Sequence, residues 1–452
     1  MLKNLNKIFF FTLALLTSGL VNAQSTSDNN TPKDNSPYSR LGLGDLVNQN
    51  FSGSLGMGGL GASFNDYYQT NVINPASYAS LLSTSFEVGM FAQYSNLTNG
   101  TDEFDVWSGN INYLSIAFPM RNPLNELLDR KRRDVHWGMN LALLPYSTVG
   151  YNVQARSNIP EEDIDVVNTF SGRGGTYEVQ WGNAVNYKDI SVGLNLGYFF
   201  GKIINERNVQ LIDSDATYTD NFLDEISLGG VIWDAGVQYK LKFKVKNDKG
   251  ELVDGKKSIT FGLYGNSNHT VNTNTSQFYT RRSTLISSIR DTIVNISDVD
   301  GEATLPSTFG IGVMYENINK MRIGFDYSSS QWSNYTNDAK PETLANSFRM
   351  AAGLEYIPND NSYNSYFKRV RYRVGAFYEN DPRIINEQLT NYGITIGLGF
   401  PVILPRQQQS FVNVAFELGQ FGSDQFLKET YAQMTVGFTL NDNSWFFKRK
   451  FN

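Results

Sequence analysis

The chain has 452 residues, a formal net charge of −6, no cysteine and only two histidines. This length suits either two or three soluble domains or one large barrel, and the negative charge gives no reason to expect a nucleic-acid partner. Because cysteine is missing, disulfides, thiolate metal sites, cysteine nucleophiles and a lipid-modified N-terminal cysteine are excluded. The 39 glycines, 25 tyrosines and 30 phenylalanines are typical of a membrane β-barrel with aromatic girdles.

The first 23 residues predict a cleaved export signal. Lys3 and Lys7 precede an apolar run, and Val21-Asn22-Ala23 puts small residues at the −3 and −1 positions before Gln24. We therefore expect a mature chain that crosses the periplasm to the outer membrane of a Gram-negative bacterium. No later segment approaches the roughly 18 consecutive apolar residues that a spanning helix needs, so an inner-membrane helical bundle is excluded.

Two segments come before the regular part of the sequence. Residues 24–51 are largely polar, which predicts a flexible mature N-terminus. Residues 52–83 are rich in Gly, Ala, Ser and Asn without a sustained period of two, which predicts a compact irregular segment. We expect this second segment to be a hatch inside the lumen of a barrel; the alternative is a periplasmic linker or a disordered arm.

From Ser83 the chain alternates apolar and polar residues in runs of about ten, the length of a tilted bilayer-spanning strand. In Ile190–Phe200 the second face carries mainly Gly, Ser and Asn, and not the Lys and Glu of a solvated soluble sheet. A sheet in lipid must close to pair its backbone groups. The sequence therefore predicts an all-β fold: a closed antiparallel transmembrane β-barrel of about 14 strands at residues 84–440, with a lumenal hatch and a periplasmic tail at residues 441–452. The predicted strands centre on Val88, Leu114, Met139, Trp181, Leu194, Val237, Phe261, Ile311, Phe325, Gly353, Val374, Ile396, Val414 and Val436.

Short and long connections alternate between these runs. Asn186–Asp189 and Glu316–Lys320 predict tight periplasmic turns. Tyr146–Thr176, Asn205–Glu225 and Asn266–Leu305 predict long external loops. An even number of strands returns the C-terminus to the periplasm, and the basic clusters of the inner side are interpreted as solvated turns.

Alternation also turns charged residues of three neighbouring strands toward the lumen. A charge that faced lipid near the midplane would cost about 2–4 kcal/mol, which supports the inward assignment. Such arginines could bind a ligand carboxylate in a bidentate manner, or they could pair with acids of the wall and hatch and hold the hatch in place; we prefer the second interpretation. The candidate lumenal ligand-binding residues are Arg349, Arg371, Arg373, Arg322, Asp326 and Glu355, and the candidate hatch residues are Asn74, Pro75, Ala76 and Asp66.

Catalysis and metal binding have little support in the sequence. His136 and His269 are the only histidines, and no serine and acid stand near either at a spacing that suggests a triad. The carboxylates of Glu161–Asp165 lack the spacing and central glycine of a calcium-binding loop, so they are interpreted as a solvated external loop. We expect no enzymatic activity, no metal site and no cofactor.

Several stretches resemble one known family. Leu55–Gly89, with an Asn-Pro-Ala turn at Asn74–Ala76, resembles the hatch and first strand of the FadL-type outer-membrane transporters of long-chain fatty acids. Leu305–Tyr335, Ser347–Pro358 and Val370–Pro382 resemble later strands of that family in the same order. The C-terminal sequence NDNSWFFKRKFN resembles instead the related PorV branch, FadL-like accessory barrels of type IX protein secretion.

The resemblance implies a fourteen-stranded barrel with facilitated uptake of a hydrophobic or amphipathic, fatty-acid-like molecule, without energy input of its own. The ligand would bind an apolar external pocket and leave sideways or past a shifted hatch. The alternatives are a PorV-like non-conducting barrel that docks a secretion-machinery partner, and a structural or adhesive surface barrel. Outer-membrane lipid is the partner expected in each case. The expected lining of the pocket is Phe222, Leu223, Ile226, Phe278 and Tyr279.

Overall fold

The structure is a computed structural model in which one antiparallel sheet of eighteen strands dominates. Among the residues it describes, no helix is long and apolar enough to span a membrane. The predicted signal peptide at residues 1–23 lies outside the described residues. These residues are 36–100, 102–120, 134–159, 164–212, 218–246, 251–283, 290–404, 408–423 and 426–443.

Short helical elements are few, and most described residues belong to strands. The 3₁₀ turns are Pro37–Arg40, Pro75–Ser80 and Trp332–Asn334, and the α-helix α1 is Ser52–Leu55. The strands are β1 (Asp45–Leu46), β2 (Thr84–Asn99), β3 (Asp102–Pro119), β4 (Val135–Ile159), β5 (Ile164–Tyr187), β6 (Ile190–Ile212), β7 (Tyr218–Lys246), β8 (Leu252–Gly265), β9 (His269–Ser283), β10 (Arg290–Leu305), β11 (Thr308–Asn317), β12 (Met321–Ser330), β13 (Thr336–Asn337), β14 (Ser347–Tyr356), β15 (Arg371–Ile385), β16 (Glu387–Leu404), β17 (Gln408–Ser423) and β18 (Leu427–Asp442).

Fourteen of these strands form a closed antiparallel barrel, which confirms the predicted fold. The ring runs through β2 to β8, β11, β12 and β14 to β18, and it closes where β18 pairs with β2. Each of the predicted strand centres lies in a different strand of this ring. Phe325 is 48% exposed on the outer face while its neighbour Asp326 is 8% exposed in the lumen, so the alternation separates a lipid face from a lumenal face as expected.

The two ends of the barrel differ in the length of their connections. At one end, the short-turn rim, β5 turns into β6 between Tyr187 and Ile190, and β11 turns into β12 between Asn317 and Met321. At the other end, the long-hairpin rim, β4 to β7 continue upward as paired strands, and β9 and β10 add a further hairpin beside the upper part of β7. The three stretches expected as long external loops are therefore largely extended hairpins.

The hatch, residues 36–83, fills the lumen and begins earlier than expected. Tyr38 and Leu43 are 1% and 2% exposed, so residues 36–51 belong to the packed interior and not to a flexible N-terminus. Lumenal glycines let the hatch backbone touch the wall, because a Cβ on Gly353 would lie 2.2 Å from the carbonyl oxygen of Met57. A Cβ on Gly262 would lie 1.9 Å from the carbonyl oxygen of Ala62. The small lumenal residues therefore leave the space that the hatch occupies.

One junction in the wall is only partly paired. β3 and β4 pair solely through Leu114–Pro119 and Gly138–Leu143, although each strand continues well toward the long-hairpin rim. β3 contains a bulge at Asn112, where Gly89 faces Tyr113 while Met90 faces Ile111. We call the stretch beyond this bulge, where β3 and β4 are not paired with each other, the wall seam. Trp107 on β3, beside the seam, is 70% exposed.

Candidate functional site

A cluster of buried charges ties the hatch to the wall near the short-turn rim. Asp66 of the hatch accepts from Arg322 Nη1 at 2.6 Å and from Arg371 Nη1 at 2.7 Å, both on its Oδ2 oxygen. The Asp66 side chain is 1% exposed, and its two arginine partners are each 9% exposed. One carboxylate thus joins two strands of the wall to the hatch through charge-assisted hydrogen bonds, which are stronger than neutral ones.

Glu355 provides the second carboxylate of this charge cluster. Its Oε2 oxygen lies 2.8 Å from Arg373 Nε, and its Oε1 oxygen lies 3.4 Å from Arg322 Nη1. Arg373 also donates to Asn413 Oδ1 at 2.8 Å. Glu316, which the sequence placed in a turn, completes the cluster by accepting from Arg322 Nε at 3.0 Å.

The ionisation of Asp66 follows from these contacts. Burial alone would raise the pKa of its carboxyl group. The positive charges of Arg371 and Arg322, together with hydrogen bonds to Arg322 and to the Tyr68 backbone N–H, outweigh burial and hold the pKa of Asp66 below its usual range. Asp66 therefore stays charged wherever the two arginines remain beside it.

The remaining predicted charges hold the hatch in a different way. Asp326 accepts from the backbone N–H groups of Gly61 at 2.6 Å and Ala62 at 2.7 Å, and not from an arginine. Arg349 pairs with Glu379 at 2.8 Å and donates to the carbonyl oxygen of Gly58 at 3.0 Å. The candidate residues thus touch the hatch at several separate points, and each candidate arginine has a carboxylate partner.

The candidate hatch residue Asn74 bonds to backbone groups and not to these arginines. Its Oδ1 atom accepts from the Ala76 backbone N–H at 3.1 Å, and its Nδ2 atom donates to the Ala62 carbonyl oxygen at 2.7 Å. Pro75 starts the 3₁₀ turn that Asn74 caps. A Cβ on Gly193 of β6 would lie 2.4 Å from the carbonyl carbon of Pro75, so this turn rests against the wall.

A second charged anchor near the long-hairpin rim was not predicted. Arg383 donates from Nε to Asp381 Oδ1 at 2.7 Å and from Nη1 to the Tyr38 carbonyl oxygen at 3.1 Å, and it also pairs with Asp45. Burial raises the pKa of Asp45 despite the opposing charge of Arg383. The residues follow a register shift after Asn380, so simple alternation along the strand could not place them. The sequence Glu-Asn-Asp-Pro-Arg at residues 379–383, with its charged residues and proline, was the feature that could have indicated this anchor.

The same upstream part of the hatch lines the wall seam. Asp45 and Leu46, as β1, pair with Thr148 and Ser147 of β4. Further along, Phe51 stacks on Tyr113 of β3 with ring centroids 3.8 Å apart. The hatch therefore contacts both strands that flank the seam, and it takes the hydrogen-bonding edge of β4 that β3 leaves unpaired.

An apolar cluster occupies the lumen above the charged residues. It joins Leu43 of the hatch to Trp332, Tyr335 and Leu344 of the connection between β12 and β14, with further residues from the wall. Ile226, expected in a ligand pocket, is buried in this upper apolar cluster. Burial raises the pKa of Tyr335 to about 12. Ile226 is therefore covered by the chain's own side chains.

The other expected pocket residues lie on β7 and β9, where the rings of Phe222 and Tyr279 meet at a centroid distance of 5.1 Å. A depression of about 530 Å³, which none of the expected pocket residues lines, opens on β5 to β7; its size is within the range of small-molecule sites. Leu228 belongs to both the depression and the upper apolar cluster. The depression is lined by Gly174, Gly175, Tyr177, Phe200, Gly201, Lys202 and Leu228.

The described residues contain no group of three or more His, Cys, Asp or Glu side chains placed to hold a metal ion. Glu161 to Asp163 of the proposed solvated loop lie outside the described residues. His269 begins β9, and its Nε2 atom accepts from the Trp233 backbone N–H at 3.1 Å. His269 therefore has a structural partner in the strand next to it.

Comparison with known proteins assigns both a family and a fold. The BamG family model matches residues 1–452. No curated protein matches the chain. Among solved structures, the chain is similar to a Pseudomonas aeruginosa FadL homologue, with 11% identity, a TM-score of 0.51 and coverage of 87% of this chain and 98% of that one.

Two toluene transporters are similar to a comparable degree. TbuX of Ralstonia pickettii has 12% identity and a TM-score of 0.50, with 87% of this chain and 98% of that one covered. TodX of Pseudomonas putida has 14% identity and a TM-score of 0.50, with 86% and 97% covered. At such identity the likeness shows the fold alone, so the FadL-like barrel is confirmed and the PorV-like branch stays a prediction.

Proposed function

Since the chain belongs to the BamG family and folds as a FadL-like barrel, we propose that it resides in the outer membrane and lets hydrophobic small molecules cross passively. Export by the signal at residues 1–23 is part of this proposal. The observation that carries it is the wall seam, where β3 and β4 pair only through Leu114–Pro119 and Gly138–Leu143. A barrel with a purely structural role gains nothing from a partly paired wall, because unpaired backbone in lipid is costly.

The proposed route leads from the outside of the cell to the wall seam, and apolar side chains line most of it. A molecule would bind the depression on β5 to β7, pass the upper apolar cluster through Leu228, and leave sideways where the hatch residues Asp45–Phe51 yield from the edge of β4. Apolar contact would supply the affinity, because burying apolar surface needs no charged partner. The paired arginines Arg349, Arg371 and Arg373 would hold the hatch and not the ligand, and a fatty-acid-like substrate is one member of the proposed class.

A disulfide lock tests this route. Because the chain has no native cysteine, the two introduced cysteines can pair only with each other within the chain. Leu46 and Ser147 are cross-strand partners, and such partners have Cα atoms about 4.5–5.5 Å apart, within disulfide range. In cells that carry Leu46→Cys with Ser147→Cys, oxidation should lower uptake of naphthalene and of a fluorescent fatty acid at least tenfold, and reductant should restore it. Ile396→Cys with Phe416→Cys, which joins strands already paired, is the matched control and should change nothing.

A second candidate is a non-conducting accessory barrel, as the PorV-like prediction has it. Two observations favour it: the hatch is fixed by buried charges around Asp66 and Arg383, and the family name points to the Bam machinery. Under this alternative, the disulfide-locked chain and the unlocked chain should give the same uptake and the same rescue of a deletion strain. Unchanged uptake after complete oxidation, together with full rescue of a deletion strain by the locked chain, would reject passive uptake and favour the accessory role.

A further inference from the structure

Among the residues that the structure describes, a two-stranded hairpin of β7 and β8 extends beyond the short-turn rim with no third strand beside it. The last wall contact of β7 on one side is the hydrogen bond from Lys240 N–H to the Asp189 carbonyl oxygen, at 2.8 Å. The last contact of β8 on the other side is from Ile318 N–H to the Lys256 carbonyl oxygen, at 2.9 Å. Beyond these contacts, residues 243–246 of β7 and 252–254 of β8 have each other as strand partners, as Lys246 with Leu252 and Val245 with Val253. We call this part the free hairpin.

The free hairpin lies beyond the level where aromatic residues mark the membrane boundary. Tyr187 and Tyr356 end β5 and β14, and Tyr239 pairs with Ile190, the first residue of β6. All three face outward at 42–56% exposure, as residues of an interfacial girdle do. At about 3.3 Å per residue, the six residues from Leu241 to Lys246 reach roughly 20 Å past Lys240 along the strand direction.

One face of the free hairpin is apolar and uncovered. Phe243 and Val253 are each 42% exposed and Val245 is 55% exposed, and Val245 lies directly opposite Val253. Leu252 pairs with Lys246 and therefore lies on the opposite face. An isolated two-stranded hairpin is marginally stable in water, and contiguous exposed apolar residues mark interaction sites. The position beyond the girdle means that lipid tails do not cover this face.

The other face and the base of the free hairpin are basic. Lys244, Lys246, Lys256 and Lys257 are exposed. Lys242 lies 3.2 Å from Asp189 and 3.5 Å from Asp254, so those two acids already have a cation beside them. The hairpin thus presents apolar side chains together with an excess of positive charge.

We propose that the free hairpin is a docking site for a periplasmic protein that offers an apolar patch bordered by carboxylates. Such a partner would cover the apolar face around Phe243 and Val245, and its acids would meet the lysines, which gives both affinity and charge complementarity. A second copy of this chain would bring lysine against lysine. The proposal goes beyond passive uptake and does not depend on it, since the free hairpin and the wall seam lie on different strands.

Site-specific photocrosslinking in the native cell tests this proposal. A photoreactive phenylalanine analogue at Val245 should crosslink to a protein, and mass spectrometry should place the crosslink beside an apolar patch that carries Asp or Glu. The same analogue at Val237, on the lipid-facing side of the same strand, is the matched control and should give only lipid adducts. Lys244→Glu with Lys246→Glu should lower the Val245 crosslink at least tenfold, while Lys320→Glu on the neighbouring turn should leave it within twofold.

Folding is checked by heat-modifiable migration of every variant, and Phe243→Ser with Val253→Thr removes the apolar face by a second, charge-neutral route. Crosslinks at Val245 to lipid only, to a second copy, or to no partner would overturn the proposal. A protein crosslink that survives charge reversal would overturn it as well. Because these variants leave the seam intact, naphthalene uptake by them reports on the proposed function separately.

Discussion

At the scale of single residues, Asp66 joins the hatch to two strands at once, because one of its oxygens meets two arginines from different strands. Asp66→Asn removes the charge and leaves Arg322 and Arg371 buried beside each other. Removing one partner from a buried ion pair costs about 3–5 kcal/mol. We expect a loss of that size in the free energy of unfolding, measured by urea titration in lipid vesicles.

The matched control for this change is Asp189→Asn at an exposed pair with Lys242. Exposed pairs contribute about 0–1 kcal/mol, so the control should unfold almost as the parent does. Equal losses in the two variants would mean that the charge cluster around Asp66 does not stabilise the folded barrel.

The lowered pKa of Asp66 also predicts a pH dependence. Because the folded-state pKa lies below the usual value of 3.8, the stabilisation is present above that pH and is lost as the pH falls toward the folded-state pKa. The difference in unfolding free energy between the parent and Asp66→Asn should stay constant from about pH 8 to pH 5 and shrink below about pH 4. A difference that shrinks near neutral pH would contradict this assignment.

At the residue scale, the sequence predicted correctly those features that depend only on the alternation of faces along a strand. Arg322, Glu355, Arg371 and Arg373 were placed in the lumen because a period of two fixes the face of a strand. Alternation does not fix which residues meet across the lumen, since that depends on strand tilt and on the path of the hatch. For this reason the sequence left the partners of Asp66 and Asn74 open, and Arg383 was missed.

At the scale of elements, the bulge at Asn112 lies where the pairing of β3 with β4 ends, and we expect it to direct β3 away from β4. Deleting Asn112 should restore regular pairing with β2, let β3 follow β4 beyond Leu114, and reduce naphthalene uptake at least tenfold. A bulge bends its strand and increases the local twist, so its removal straightens β3. Asn112→Ala keeps the bulge and should transport as the parent does; equal transport by the deletion variant would show that the seam is not the exit.

The elements that the sequence predicted least well are those outside the membrane. The stretch Asn266–Leu305 was expected as a loop because it lacks an apolar face, yet it contains β9 and β10. The buried side of β9 begins with His269, Val271, Thr273 and Thr275, so its sequence HTVNTNTSQFYTRRS alternates in burial without alternating in apolar character. The membrane part of the fold was predictable because lipid demands that signal, and the extended hairpins were not.

At the scale of the whole molecule, passive uptake and the accessory function predict that different molecules are bound to the barrel. Native mass spectrometry of protein extracted gently from its own membrane should find, under passive uptake, a small apolar molecule that leaves on heating. A stoichiometric protein partner without a small molecule would favour the accessory barrel. The disulfide-locked variant provides the control, because locking the seam should lower the bound small molecule if it enters by the proposed route.

The path of the hatch has a consequence for how the chain assembles. The ring closes between its first and last strands, β2 and β18, which lie more than 300 residues apart in sequence. Ser36 lies toward the long-hairpin rim, whereas Thr84 starts β2 at the other rim. Because the hatch precedes the wall in the chain and fills the lumen of the closed ring, we expect it to be enclosed when β18 meets β2. The packing of the lumen and the closure of the ring would then be one step of assembly.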